Sequence, residues 1–150
     1  MMKIAEAITI KYAAELSISM DRVQGVLCAA LEGGSNYWID SVEIVYPEGH
    51  NPEDYKVGGK HHIDDLFDSP LYNVWRFHGG KLIFYVDMNE DGKLKKYELN
   101  LNKVIDGFRQ MAAAEKCRAD YWPNFVKEND DADTADCWLQ LALFNDIIFG

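Results

Sequence analysis

The chain has 150 residues, 48% hydrophobic and 13% aromatic, enough for one domain with its own core and too apolar for a disordered segment. With 25 acidic against 15 basic residues the formal net charge is −10, which disfavours direct binding to nucleic-acid phosphates or anionic lipid and favours a basic partner. Cys28, Cys117 and Cys137 are an odd number with no C-x-x-C pair, so they read as reduced residues in apolar settings rather than a disulfide framework.

The first residues, MMKIAEAITIKY, carry Glu6 and Lys11 where a signal peptide needs its apolar stretch. Ile4, Ile8, Ile10 and Tyr12 alternate with Thr9 and Lys11, the period of a half-buried strand over 3–12. From Met20 to Glu32, Met20, Val23, Val26, Leu27, Ala30 and Leu31 recur at helical spacing. Ser19 is the expected N-cap, Ile18 and Val23 form a hydrophobic staple, and Gly33 is placed for a left-handed C-cap.

Tyr37 to Tyr46 predicts a strand with Trp38, Val42, Ile44 and Tyr46 on one face. Asp40 falls on that apolar face, which calls for a bulge. Pro47 ends the strand, and the breakers Gly49, Pro52, Gly58, Gly59 and Pro70 predict a long loop or insertion at about 47–78. The run Lys81 to Val86 is apolar on both faces, as in a central strand, and Leu94 to Leu99 carries the lysines of an edge strand.

Leu101, Val104, Ile105, Phe108 and Met111 mark a helix reaching Cys117, with Asn100 as N-cap and Leu99 and Val104 as its staple. Tyr121, Trp122 and Pro123 break the pattern. A last helix follows, capped by Asp131 or Asp133 and apolar nearly all round through Trp138, Leu139, Ala142 and Leu143. Its longest uncharged run, CWLQLALFN, is too short to span a bilayer. The elements add up to a single α+β domain: a mainly antiparallel sheet of about four strands packed against about three helices, in the order β-α-β-(long loop)-β-β-α-α.

Four patterns bear on function. Asp87, Asn89, Asp91, Lys93 and Glu98, with Gly92, satisfy the spacing of a calcium loop. The strand-like run before them and the lysines Lys93, Lys95 and Lys96 favour a β-hairpin tip instead. His61, His62, Asp64, Asp65 and Asp68 offer metal-ligating groups without a recognised spacing, and read as a solvated loop. Gly33, Gly34, Ser35 and Asn36 follow a helix C-terminus, where the dipole repels anions, so they are no phosphate loop.

Tyr121, Trp122 and Phe125 stand beside the acidic run Glu128 to Asp136. Tyr121, Trp122, Asp130, Asp131 and Asp133 are therefore the candidate patch for a basic protein partner. A small-ligand site, for instance for a nucleotide signal, would draw on Asn36, Tyr37, Trp38, Trp75 and Arg76, with Lys60 as a second cation. Nucleophile elbow, Walker loop and dinucleotide fingerprint are missing from the sequence, so neither a catalytic residue nor a cofactor is expected.

The motifs LCAALEGGSNYW and DADTADCWLQLALFNDIIFG, at opposite ends of the chain, resemble a group of small uncharacterised proteins encoded by phages and other mobile elements of bacteria. Gly79-Gly80-Lys81-Leu82, the pattern Leu99-Asn100-Leu101-Asn102-Lys103 and Gly107 are similar to further features of that group. The resemblance implies a genomic setting and brings no catalytic residues. The expectation is a non-enzymatic cytoplasmic binding protein occupying a host or competitor protein, with counter-defence one form of that role and self-association left open.

Overall fold

The structure, a computed structural model, describes residues 7–12, 14–50 and 70–150. Lys60, His61, His62, Asp64, Asp65 and Asp68 lie outside the described residues. Among the described residues five strands form two antiparallel sheets, a hairpin and a three-stranded sheet in the order β3-β4-β5, with the helices packed among them. The α+β class holds; the expected single four-stranded sheet is corrected to two.

The extra strand lies where only one was anticipated. β1 (Ala7–Tyr12) is followed by β2 (Ala14–Ser19), paired from Ala7↔Ser19 to Tyr12↔Ala14. Ile8, Ile10 and Ile18 are buried, and β1 lies against α3 (Leu101–Ala113). Leu16 and Ile18 carry the period-2 signal of β2, but it spans only six residues and runs straight into a helix cap.

α1 (Met20–Ala29) starts where expected, Ser19 Oγ accepting from the Arg22 N–H. Its end differs. The chain widens into one π turn over Ala30–Gly34, and Gly33 takes no left-handed conformation. Gly34 supplies the reason: a Cβ there would sit 2.1 Å from the Ala132 carbonyl oxygen. The glycine serves a close approach to another helix, not a cap.

β3 (Ile39–Val45) pairs with β4 (Lys81–Val86), and the register slips between Ile39 and Ser41. Asp40 is the extra residue, lifted to solvent by the expected bulge, so that Val42 and Ile44 face Phe84 and Leu82. β4 is central, but its burial alternates: Leu82, Phe84 and Val86 are buried, Lys81, Ile83 and Tyr85 half-buried. β5 (Lys95–Leu99) is the lysine-bearing edge.

Within the stretch read as loop, Pro70–Asn73 forms the short helix α2, followed by a 3₁₀ turn, Val74–Arg76. Pro70 opens that helix, where a missing N–H costs nothing. The same logic corrects Pro123, which sits in the first turn of α4 (Tyr121–Val126) and does not break it.

Asn100 caps α3 by accepting from the Lys103 N–H, but the helix ends at Ala113, short of Cys117. Ala114 turns left-handed at φ 54°, its N–H held by the Gln110 carbonyl. α5 (Ala132–Phe144) is capped by Asp131, which accepts from the N–H and hydroxyl of Thr134. Its residues 134, 135 and 137–143 are all buried, against α1, α3, the π turn and β5. Gly107 lets α3 close on it: a Cβ there would lie 2.8 Å from Ala142 Cβ and 3.1 Å from the Trp138 ring. Trp138 Nε1 then donates to the Val104 carbonyl of α3.

Candidate functional site

The two motifs behind the resemblance meet on one carboxylate. Asp136, on the first turns of α5, accepts from Ser35 Oγ at 2.7 Å and Trp38 Nε1 at 2.7 Å through Oδ1, and from Tyr37 OH at 3.0 Å and Gln140 Nε2 at 3.1 Å through Oδ2. Three of these donors belong to the turn after Gly34, and the fourth stands one helical turn along α5. Close packing of Gly34 on Ala132 brings that turn within reach.

Gln140 extends the network to residues 147–149. Its Oε1 accepts from the N–H groups of Ile148 and Phe149, both at 2.8 Å, and its Nε2 donates to the Phe149 carbonyl. Phe149 stacks on Trp38 with centroids 5.3 Å apart and planes 2° apart, and Phe144 closes on the same indole. Residues 147–149 thus wall a cleft between the Tyr37 turn, α5 and the segment joining α3 to α4.

That cleft has a volume of about 670 Å³. Tyr37 and Tyr121 stand on it, Asp133, Asp136, Cys137 and Gln140 reach it from one stripe of α5, and Lys116, Cys117 and Arg118 line it from the segment between α3 and α4. Tyr37 is 56% exposed. Partial desolvation, then the Asp136 carboxylate, push its phenol up to about 12. Burial likewise raises the Tyr121 phenol, with Asp133 adding to both. Burial raises the thiols of Cys117 and Cys137. All four groups stay protonated at neutral pH.

The cations beside the cleft have partners: Lys116 Nζ donates to the Asn145 carbonyl, and Arg118 pairs with Asp120 through both carboxylate oxygens, at 3.0 and 2.8 Å. Asp133 is exposed, and among the described residues its carboxylate makes no side-chain hydrogen bond or ion pair. A smaller cavity of about 510 Å³, on the other side of Tyr37 and Trp38, is lined by Asp40, Asp87 and Glu90.

The sequence-based patch separates into different roles. Asp130 is gripped by the Arg22 guanidinium, which also donates to the Phe125 carbonyl at 2.7 Å and lies over the Phe125 ring at 4.3 Å. Asp131 is the α5 cap, and hydrogen bonds from Thr134 hold its carboxyl below the usual range. Trp122 stacks on Phe125. Tyr121 and Asp133 alone of the five line the cleft.

The ligand-site candidates divide too. Asn36 is exposed and Trp38 is buried beside Tyr37. Trp75 is buried in the core, and Arg76 stands near Asp21 of α1; neither lines the two cavities described. The structure does not bring Trp75 and Arg76 to the Tyr37–Tyr121 cleft.

The calcium-like stretch is the β4–β5 hairpin. Asp87 spends both carboxylate oxygens on the N–H groups of Asp91 and Gly92, Asp91 accepts from the Lys93 N–H, and Gly92 is left-handed. Glu98 bonds Lys81 Nζ at 2.7 Å, three residues up β5 from Lys95, or about 10 Å along the strand. With Asn89 and Asp91 at the tip, these donors do not converge on one ion. Among the described residues there is no group of three or more His, Cys, Asp or Glu side chains placed to hold a metal.

The sequence alone gives Asp136 and Gln140 no role of their own and marks Cys117 and Cys137 only as reduced residues in apolar settings. The usable signal was Asp136 and Gln140 four apart in a helix otherwise apolar nearly all round, which implies a buried polar pair with outside partners. No helix among the described residues is long and apolar enough to cross a membrane. The chain matches no family model, no curated protein and no solved structure.

Proposed function

We propose that the chain is a non-enzymatic cytoplasmic binding protein of a phage or mobile element, and that it occupies a host or competitor protein through a basic side chain inserted into the Tyr37–Tyr121 cleft. Antagonism of a defence system is one form of that role. The observation that supports the reading is the Asp133 carboxylate, without a hydrogen-bond or ion-pair partner among the described residues, beside two tyrosines on an open cleft. An arginine or lysine stem packs on a phenol ring while its charge meets Asp133. Protonated phenols and thiols suit recognition rather than nucleophilic attack. The formal charge of −10 adds steering toward a basic surface.

Affinity capture from a bacterial lysate followed by native mass spectrometry tests this. The wild-type chain is expected to retain a stoichiometric protein, and Asp133→Lys to weaken that complex by about 2 kcal/mol, roughly 30-fold. Unchanged binding by both Asp133→Lys and Tyr37→Ala removes the cleft from the interface. Asp130→Lys is uninformative, because it breaks the internal contact to Arg22.

The cleft volume favours a second reading, a small-ligand binder or nucleotide-signal sponge, since drug-sized ligands occupy cavities of about 300–1,000 Å³. A bare chain carrying a small added mass would support it. A melting temperature unmoved by a nucleotide panel counts against it.

A further inference from the structure

The lining of the Tyr37–Tyr121 cleft offers open hydrogen-bond acceptors, while its charged and amide donors are turned to internal partners. Tyr37 OH and Gln140 Nε2 donate to Asp136, and Gln140 Nε2 also donates to the Phe149 carbonyl. Lys116 is held on the Asn145 carbonyl, and Arg118 on both oxygens of Asp120. Asp133 and Glu115 line the cleft and are exposed, and among the described residues neither carboxylate makes a side-chain hydrogen bond or ion pair. Asp133 stands three residues before Asp136 on the same face of α5. Its carboxylate is therefore beside the Tyr37 phenol that Asp136 holds at 3.0 Å.

A ligand that suits such a lining is cationic and rich in N–H groups, whereas a phosphate would meet Asp133 and Glu115 head on. The chain itself shows which cation a carboxylate and a ring hold together. Arg22 lies over the Phe125 ring at 4.3 Å while its guanidinium bonds Asp130 and the Phe125 carbonyl. Arg118 lies over the Tyr121 ring at 5.3 Å with two nitrogens on Asp120. A guanidinium is planar, so it lies flat on an aromatic ring and presents two N–H groups to one carboxylate at once; an ammonium, a strongly hydrated point charge, can neither fork nor lie flat. Tyr37 is ready for that contact, because its ring is exposed and its hydroxyl is already fixed by Asp136, so little freedom is lost on binding. We infer that the group inserted into the cleft is the guanidinium of an arginine side chain on the partner, forked on Asp133 and stacked on Tyr37, in preference to a lysine ammonium. This rests on the reading of the cleft as a site for a basic side chain and adds which one it selects.

The test is an NMR titration of the full chain with N-acetyl-arginine amide, N-acetyl-lysine amide, ethylguanidinium and adenosine monophosphate. The arginine derivative should shift the Tyr37, Tyr121 and Asp133 resonances with a Kd of roughly 1 mM, as expected for a ligand of its size. It should bind about fivefold more tightly than the lysine derivative, the worth of one further hydrogen bond. Asp133→Asn and Tyr37→Leu should each weaken it about fivefold, whereas Tyr37→Phe, which keeps the ring, should stay within about twofold. Equal affinity for the two derivatives, lost alike in Asp133→Asn, overturns the arginine preference and leaves the basic-side-chain reading standing. Cleft resonances that move for neither derivative, or that move for adenosine monophosphate instead, overturn both. Arginine shifts that survive Asp133→Asn unchanged, or that fall outside the cleft, overturn the inference as well. Ethylguanidinium binding about tenfold more tightly than the capped arginine would overturn a partner's side chain as the source and point to a free guanidino compound. The wild-type comparison of the four probes decides the matter even if a variant fails to fold.

Discussion

Removing the carboxylate of Asp136 strips four donors of one acceptor. Ser35 and Trp38 are buried, and each buried donor left unpaired costs about 1–3 kcal/mol. Asp136→Ala should therefore lower stability by about 3 kcal/mol, read as a fall in the urea midpoint at unchanged slope. Asp131 predicts a pH effect. Its folded-state pKa is depressed by the Thr134 bonds, so its contribution is present above the unfolded carboxylate pKa and lost as pH falls through the folded value. Asp131→Ala should cost about 1 kcal/mol at neutral pH, and that difference from wild type should vanish in acid. Equal differences at both pH values would contradict the sign. The sequence marks Asp131 as one of two possible caps but Asp136 only as a member of an acidic run, because charge patterning does not say which carboxylates have internal partners.

At the level of elements, what could be read ahead were features carried by local chemistry. Ser19 and Asn100 announce their helices as caps, Asp131 was one of two candidates for the last, and Asp40 on an apolar face announces the bulge. What could not be read depends on a distant neighbour. Gly33 and Gly34 look like a helix stop, but the need for small residues comes from Ala132 on α5, and the helix widens into a π turn instead. Pro123 and Pro70 look like breakers and sit in first turns where their missing N–H is harmless. The end of α3 had no sequence signal, since Ala114 is a good helix former held left-handed by the segment after it. That conformation costs an L-residue about 1–2 kcal/mol, against about 0.5–1 kcal/mol of chain entropy for glycine. Ala114→Gly should raise stability by about 0.5–1 kcal/mol; a destabilised variant would mean that the alanine methyl packs.

For the molecule as a whole, an excess of ten negative charges repels itself. The described ion pairs are few, and the most sheltered, Arg22 with Asp130, is backed by a carbonyl and an aromatic face. Raising salt from about 0.01 M to 0.15 M shortens the screening length from about 30 Å to 8 Å. The melting temperature should rise by about 2–4 °C over that range, corresponding to roughly 1 kcal/mol for a domain of this size. A fall would show that favourable pairs outweigh the repulsion.

The bonds from Ser35, Tyr37 and Trp38 to Asp136 span 98 to 101 residues of chain. During translation at about 5–20 residues per second, the turn waits roughly 5–20 s for the helix that completes it. Over that interval its indole and serine hydroxyl have no aspartate to meet, and the aromatic faces that Phe144 and Phe149 later cover stand open. A nascent chain paused before α5 thus displays the tyrosine without the cleft, whose walls close only once residues 147–149 have joined Gln140 of α5.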